Sequence, residues 1–230
     1  MTDAPLNGAA ILFDLDGTLV DTAPDLAGTM NDILGKLGLA PLPVQEVRPL
    51  VGHGARALLL RGLERHSHTV SPEELEQMLV AFFDIYASRI AKESRLYPRT
   101  QMTLDLLSAG GASLGVVTNK PEDLSRLLLD ALGIADRFGA LIGRETAARP
   151  KPHPDPILLA AARLKVAIGR CVMVGDSDTD VAAAKSAGIP IVLVRHGYTS
   201  VPADELGANL VIDGFAELIA ALPPLLGPNR

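Results

Sequence analysis

Apolar residues fall along this chain in two rhythms. Short continuous runs at Ala9–Phe13, Ser113–Val117, Ala140–Ile142, Cys171–Val174, Pro190–Val194 and near Asn209–Ile212 have the length of strands, and the most apolar of them read as buried on both faces. Between the later runs, apolar positions return at helical spacing over Gln101–Ala109, Glu122–Leu132, Pro156–Lys165, a segment ending at Ala187, and Phe215–Leu222. Gly188 supplies a C-terminal stop, and Pro223-Pro224 ends the last helix, leaving Gly227–Arg230 to fray. Strands alternating with helices predict an α/β fold, a parallel sheet covered on both faces.

One stretch breaks the alternation. From Asp21 to Glu93 the pattern is helical only. Leu26, Met30, Ile33, Leu34 and Leu37 share one face of a helix over Asp25–Leu37. Ser71-Pro72-Glu73-Glu74 is a capping box with proline at the first helical position, opening a helix that carries Leu75, Met78, Leu79, Phe82, Phe83 and Tyr86. The expected organisation is an α/β core made of residues 1–20 and 94–230, with an all-helical insert at 21–93 after the first strand. A chain of 230 residues has room for such a core and insert.

Composition narrows the function classes. A net charge of −6 with no basic run argues against a nucleic-acid partner. No apolar stretch reaches transmembrane length and no secretory leader is visible, so no membrane partner is expected. The single cysteine, Cys171, excludes an internal disulfide and suits a reducing, cytoplasmic setting. Aromatic content of 3% with no Trp gives no sign of an aromatic cofactor cage.

Candidate chemistry sits at the ends of the predicted strands, where open α/β sheets bind ligands. Asp14 and Asp16 close the first run and are followed by Gly17, which allows a tight turn, and Thr18, which offers a hydroxyl and an N–H to an anion. Two carboxylates so close repel unless a cation compensates, and a hard divalent ion with oxygen ligands answers this. Thr118 and Asn119 follow the second strand run at a helix start, a place that holds a phosphoryl oxygen or simply caps a helix. Lys151 is held between prolines in Arg149–Pro156, which contains four of them, as a rigidly placed ammonium or a surface lysine in a turn. Asp176, Asp178 and Asp180 crowd the helix after Gly175; three acids in five residues exceed what capping requires.

These segments, ILFDLDGTLVD, SLGVVTNK, the Lys151 loop and VMVGDSDTD, occur in the order found in the haloacid-dehalogenase-like superfamily of phosphatases, which the chain resembles. The resemblance implies a Rossmann-like, doubly wound parallel sheet with a small helical cap inserted after the first strand. It implies Asp14 as a nucleophile forming an aspartyl-phosphate and Asp16 as the acid that protonates the leaving oxygen and then activates water. It further implies Mg²⁺ held by Asp14, by the backbone carbonyl of Asp16 and by Asp176, with Asp180 supporting them from behind. Thr118, the Asn119 backbone and Lys151 complete the phosphoryl cradle. The dehalogenase branch lacks an acid at the position of Asp16, so phosphate esters or phosphoanhydrides are the expected substrates.

Within the superfamily the resemblance is closest to the bacterial phosphoglycolate phosphatases, through GVVTNKP, KPHPDPILLAA, VGDSDTDVAAAKSAG and HGY. Thr22, where many relatives have serine, and the Ala147-Ala148-Arg149 lead-in depart from it without removing a catalytic group. Substrate choice is expected from the insert, where Gly52-His53-Gly54 precedes Arg56. Arg56 could take a small carboxylate bidentately with help from His53, or stand solvated at a helix start. The expectation is a small-molecule phosphate ester, 2-phosphoglycolate first. The alternatives are a sugar phosphate, N-acetylmuramate 6-phosphate, pyrophosphate or a phosphomutase reaction, with a non-catalytic phosphate-binding regulator as a different class. Either a monomer or a homodimer is compatible with this reading.

Overall fold

The computed structural model describes residues 6–226; the expected fraying of Gly227–Arg230 lies outside them. Six parallel strands form the core sheet in the order β5-β4-β1-β6-β7-β8. They are β1 (Ala10–Phe13), β4 (Ser113–Val117), β5 (Ala140–Ile142), β6 (Cys171–Gly175), β7 (Ile191–Val194) and β8 (Leu210–Ile212). β1 lies between β4 and β6, with Phe13 opposite Val116 on one side and Val174 on the other, so the three central strands end together. At β1 the connections turn from one half of the sheet to the other, which opens a crevice at the strands' carboxyl ends.

Side chains alternate across the sheet, as a period of two requires. Ile11, Phe13, Val172, Val174, Val192 and Val194 face one apolar cluster, while Ala10, Leu12, Met173, Ile191 and Leu193 face the other. Helices α5 (Thr100–Ala109), α6 (Glu122–Ala131) and α9 (Phe215–Ala221) cover the first face; α7 (Asp155–Leu164) and α8 (Asp178–Ala187) cover the second. The doubly covered sheet matches the sequence expectation, with element ends shifted by one or two residues. Pro121 caps α6 from outside instead of occupying its first turn.

The helical stretch contains α1 (Ala23–Lys36), α2 (Val44–Val47), a 3₁₀ turn at Arg48–Leu50, α3 (Ala55–Glu64) and α4 (Pro72–Ser88). The capping box at the start of α4 is formed: Glu74 N–H donates to Ser71 Oγ and Ser71 N–H donates to Glu74 Oε2. Two two-residue strands, β2 (Val20–Asp21) and β3 (Arg95–Leu96), pair antiparallel where the chain leaves and rejoins the core. Two residues carry no periodic signal, so this ladder had no trace in the apolar pattern. Asp25, fully buried, accepts from the N–H groups of Glu93 and Ser94 and from Ser94 Oγ, and so ties the returning chain to α1.

Candidate active site

Asp14, Thr118 and Asp176 are the residues that follow, or stand one beyond, the ends of β1, β4 and β6, and all three are buried. The Asp14 N–H donates to Val174 O and the Thr118 N–H to Ile142 O, so the sheet ladder itself fixes both backbones. Lys151 reaches the same point from the loop between β5 and α7. Its Nζ lies 2.9 Å from Asp14 Oδ1 and 2.6 Å from Asp180 Oδ1, with its side chain almost fully enclosed. Asp180 is in turn held by donors on its other oxygen: Ser177 Oγ at 2.6 Å, Ser177 N–H at 3.1 Å and Asp176 N–H at 3.2 Å. Ser177 and Asp180 form a capping box at the start of α8, so Asp176 precedes the helix and sits in the turn that leads into it.

Charge is unbalanced here. Carboxylate oxygens of Asp14, Asp176 and Asp180 lie within 4.8 Å of one another, and Lys151 is the one ammonium in contact with this group among the described residues. Three carboxylates against one ammonium leave two negative charges in a buried place. Burial pushes Asp14 up to about 7 despite Lys151, and burial together with Asp180 and Asp14 pushes Asp176 well above the ordinary carboxylate range. Burial works against the Lys151 ammonium, but Asp14 and Asp180 outweigh it and raise its pKa. Asp14 Oδ1, though close to Lys151, lacks an aligned hydrogen-bond donor. An all-oxygen donor set with two uncompensated negative charges fits a hard divalent cation. Asp14 and Asp176 have acceptor capacity left for such an ion, whereas each oxygen of Asp180 is already taken by donors.

Two glycines let the backbone close around Asp176. Gly17 has φ +89°, and a Cβ there would stand 2.5 Å from Asp176 Oδ2. At Gly197 a Cβ would meet Asp176 Cβ at 2.1 Å. Thr18 corrects an expectation: its hydroxyl donates to Asp176 Oδ1 at 2.7 Å and its N–H donates to Leu15 O, so neither is turned to an incoming anion. The Gly17 N–H is likewise given to Val20 O. These two residues shape and hold Asp176, whereas the sequence offers the Thr18 hydroxyl and N–H to an anion. Tyr198 went unassigned in the sequence although HGY was noticed. Its N–H donates to Asp176 Oδ2, while its hydroxyl accepts from the Thr22 and Ala23 N–H groups and donates to Asp21 Oδ1.

Asp16 stands apart from the carboxylate group. Its side chain faces Lys120 Nζ at 3.1 and 3.2 Å, and Lys120 also donates to Tyr86 Oη at 2.7 Å. Lys120 and Tyr86 were both missed; only the place of Lys120, two residues after Thr118, hinted at it. The Asn119 amide donates to Lys151 O and to Gly52 O, linking the lysine loop to the helical stretch.

The loop Val51-Gly52 borders two cavities that both reach Asp14 and Asp16. The smaller, of about 50 Å³, is lined by Thr118, Asn119, Lys120 and Tyr86 and by apolar side chains of α1, α3 and α4. The larger, of about 280 Å³, is lined by Asp176, His53, Arg61 and the 198–201 segment. His53 is therefore at the site, 3.9 Å from Asp178 Oδ1. Arg56 is not: it is exposed on α3, pairs with Glu76 of α4 and lines neither cavity. Arg61, about 1.4 turns further along α3, is the arginine among the described residues that lines the larger cavity.

A sequence model of the haloacid dehalogenase-like hydrolases matches residues 11–194. A phosphoglycolate phosphatase of Caulobacter vibrioides is 46% identical over 96% of this chain and 93% of its own length. One from Agrobacterium fabrum is 40% identical over 96% and 95%. The crystal structure of a predicted phosphoglycolate phosphatase from Haemophilus somnus superposes with a TM-score of 0.87 at 32% identity, covering 93% of this chain and 97% of that one.

Proposed function

The chain belongs to the haloacid dehalogenase-like hydrolases, and from that premise we propose that it is a Mg²⁺-dependent phosphatase whose preferred substrate is 2-phosphoglycolate. The observation that carries the reading is the convergence of Asp14, Lys151 and Asp176 at the ends of the central strands, with Asp16 two residues from the nucleophile. Hydrolysis then divides into two displacements. A carboxylate oxygen of Asp14 attacks phosphorus, the P–O bond to the ester oxygen breaks, and Asp16 gives that oxygen its proton. Asp16 next takes a proton from water as water attacks phosphorus, which breaks the bond to Asp14 and releases phosphate. Lys151 and Asp14 already share an ion pair, so the ammonium is in position to neutralise charge on both nucleophile and phosphoryl oxygens. Thr118 and Asn119 border the phosphoryl group, and Asp180 orients Lys151.

Asp14, Asp176 and the backbone carbonyl of Asp16 would hold Mg²⁺. When bound, the ion neutralises phosphate charge as a Lewis acid. Residues 21–93 act as a cap over a core of residues 1–20 and 94–230, and the paired β2 and β3 are where the two meet. The choice of phosphoglycolate rests on the names of relatives 40–46% identical over nearly their full length. No described helix is long and apolar enough to cross a membrane. The buried free thiol of Cys171 is consistent with a cytoplasmic setting.

The test is kcat/KM with Mg²⁺ for phosphoglycolate, glucose 6-phosphate, N-acetylmuramate 6-phosphate and pyrophosphate, with an EDTA control. A preference for phosphoglycolate of about a hundredfold, about 2.7 kcal/mol of transition-state binding, is expected. A flat profile or a sugar-phosphate preference would leave the hydrolase and remove the substrate.

A further inference from the structure

Lys120 is a buried ammonium whose one carboxylate partner among the described residues, Asp16, is the residue that must leave it. Its side chain is 4% exposed and lies against both oxygens of Asp16, with the Tyr86 hydroxyl of α4 on its other side. Asp14, Thr118 and Asn119 line the cavity on the side of the strand ends, and Leu26, Leu58, Phe82, Phe83 and Leu124 give it an apolar wall. For Asp16 to serve the ester oxygen it has to turn from Lys120. A buried cation stripped of its partner is strongly destabilised, unless another anion takes the place.

We propose that Lys120 is the residue that recognises the substrate's carboxylate, taking it in exchange for Asp16 and so releasing Asp16, which takes a proton from solvent on leaving the ammonium and delivers it to the ester oxygen. This rests on the phosphoglycolate reading and adds the residue and the reason for the preference. Three observations point to it. Lys120 follows Thr118 by two residues, so it is fixed relative to the phosphoryl cradle by the same loop. A two-carbon acid carries its carboxylate only two bonds beyond the ester oxygen, the atom Asp16 must reach. The cavity, about 50 Å³ where one water needs about 10–15 Å³, takes a fragment of a few heavy atoms. Lys120 is also the only cation in its lining among the described residues.

Arg61 is the rival. Among the described residues its guanidinium meets the Leu50 carbonyl and the His53 ring, each at 3.4 Å, and it faces the larger cavity instead. A carboxylate held there would leave the Lys120–Asp16 pair in place.

The exchange predicts discrimination in kcat, not in KM alone, because a neutral leaving group leaves Lys120 unpaired when Asp16 turns. The experiment compares 2-phosphoglycolate with its amide, 2-phosphoglycolamide, in the Mg²⁺-loaded wild type, Lys120→Met and Arg61→Gln, with thermal melts to verify folding. The wild type is expected to show a kcat about a hundredfold higher for the acid. Lys120→Met is expected to bring the acid-to-amide ratio of kcat below threefold, and Arg61→Gln to keep it. A Lys120→Met enzyme that retains the full ratio, or an Arg61→Gln enzyme that loses it, overturns the inference while leaving phosphoglycolate as substrate. Should Lys120→Met fail to fold, the wild type alone decides: equal kcat for acid and amide overturns the exchange. A wild type that hydrolyses neither compound overturns the substrate reading and this inference with it.

Discussion

Replacing Asp180 with asparagine tests whether the acidic group at the strand ends is a support or a liability. Asp180 is fully buried and accepts from four donors, with one oxygen on Lys151 Nζ at 2.6 Å and the other on Ser177 Oγ, Ser177 N–H and Asp176 N–H. An asparagine side chain has one acceptor oxygen and one donor amide. Turned one way its amide meets the ammonium; turned the other, it meets two backbone N–H groups. Neither orientation satisfies both sides.

Breaking a buried ion pair costs about 3–5 kcal/mol, and here the lower end applies because Lys151 keeps Asp14. Against this, Asp180 raises the pKa of both Asp14 and Asp176, so removing its charge relieves repulsion worth about 1 kcal/mol. The net loss is about 2–3 kcal/mol. For 230 residues the unfolding entropy is about 0.5 kcal/mol per degree, which converts the loss to a fall in Tm of about 4–6 °C. Mg²⁺ should enlarge the fall, since a bound cation has already cancelled the repulsion that the substitution relieves. Thermal melts of wild type and Asp180→Asn with Mg²⁺ and with EDTA measure both numbers. An Asp180→Asn protein that melts at or above wild type in Mg²⁺, where the repulsion is already cancelled, would mean that these hydrogen bonds contribute no stability, and the account of Asp180 as a support for Lys151 would be wrong.

Asp14→Asn should abolish turnover and acid-stable phosphoenzyme trapping while retaining cooperative melting; activity above a tenth of wild type would remove Asp14 as nucleophile. Gly17→Ala should lower stability by at least about 1 kcal/mol and weaken Mg²⁺ binding, because the added methyl lands 2.5 Å from Asp176 Oδ2 at a positive φ; titration calorimetry with unchanged affinity would contradict this. Arg56→Ala should change kcat/KM for phosphoglycolate less than twofold, since Arg56 faces Glu76 outside both cavities; a tenfold rise in KM would restore it to the site. In the metal-free protein, burial pushes Asp14 up to about 7 from the 3.8 of a free side chain, so the folded state binds more protons between those values and stability falls as pH rises through that window. The Tm gain from Mg²⁺ should therefore grow from pH 5 to pH 8 in wild type more than in Asp14→Asn; parallel curves for the two proteins would rule out this origin.

How much of this was legible in the sequence follows from which quantities are local. The strands of the sheet are short apolar runs buried on both faces, and such runs announce themselves without tertiary knowledge. Asp14, Thr118, Lys151 and Asp176 were legible because they are defined by chain position, at a strand end or in a proline-stiffened loop. Side-chain direction is a different matter. Thr18 follows Asp16 at the expected place, yet its hydroxyl is committed to Asp176, more than a hundred and fifty positions away in the chain. Arg56 and Arg61 both lie on α3, and at about 100° per residue they point about 140° apart. Only the packing of α3 against α4 decides which faces the site. Lys120 and Tyr86 meet from a core loop and a cap helix, and no window of sequence contains both.

The pattern of bonds around the proposed cap argues for where it turns and where it parts. At the chain crossings, Tyr198 joins Asp176 to Asp21, Thr22 and Ala23; Arg48 pairs with Asp21 at 2.6 Å; and β2 pairs with β3. Crossings so bonded to the loop of Asp176 keep their place relative to the strand ends. Across the cavities the links are sparser: Asn119 to the Gly52 carbonyl at 3.3 Å, His53 to Asp178 at 3.9 Å, and Lys120 to Tyr86. Local opening draws on the less bonded regions, so any opening of the proposed cap would break these contacts first. Lys120 then sits at the one point where cap position, the acid Asp16 and the substrate's own charge all meet. A cation placed there ties closure to the arrival of an anion, because an empty closure keeps Asp16 on Lys120 and away from the ester oxygen.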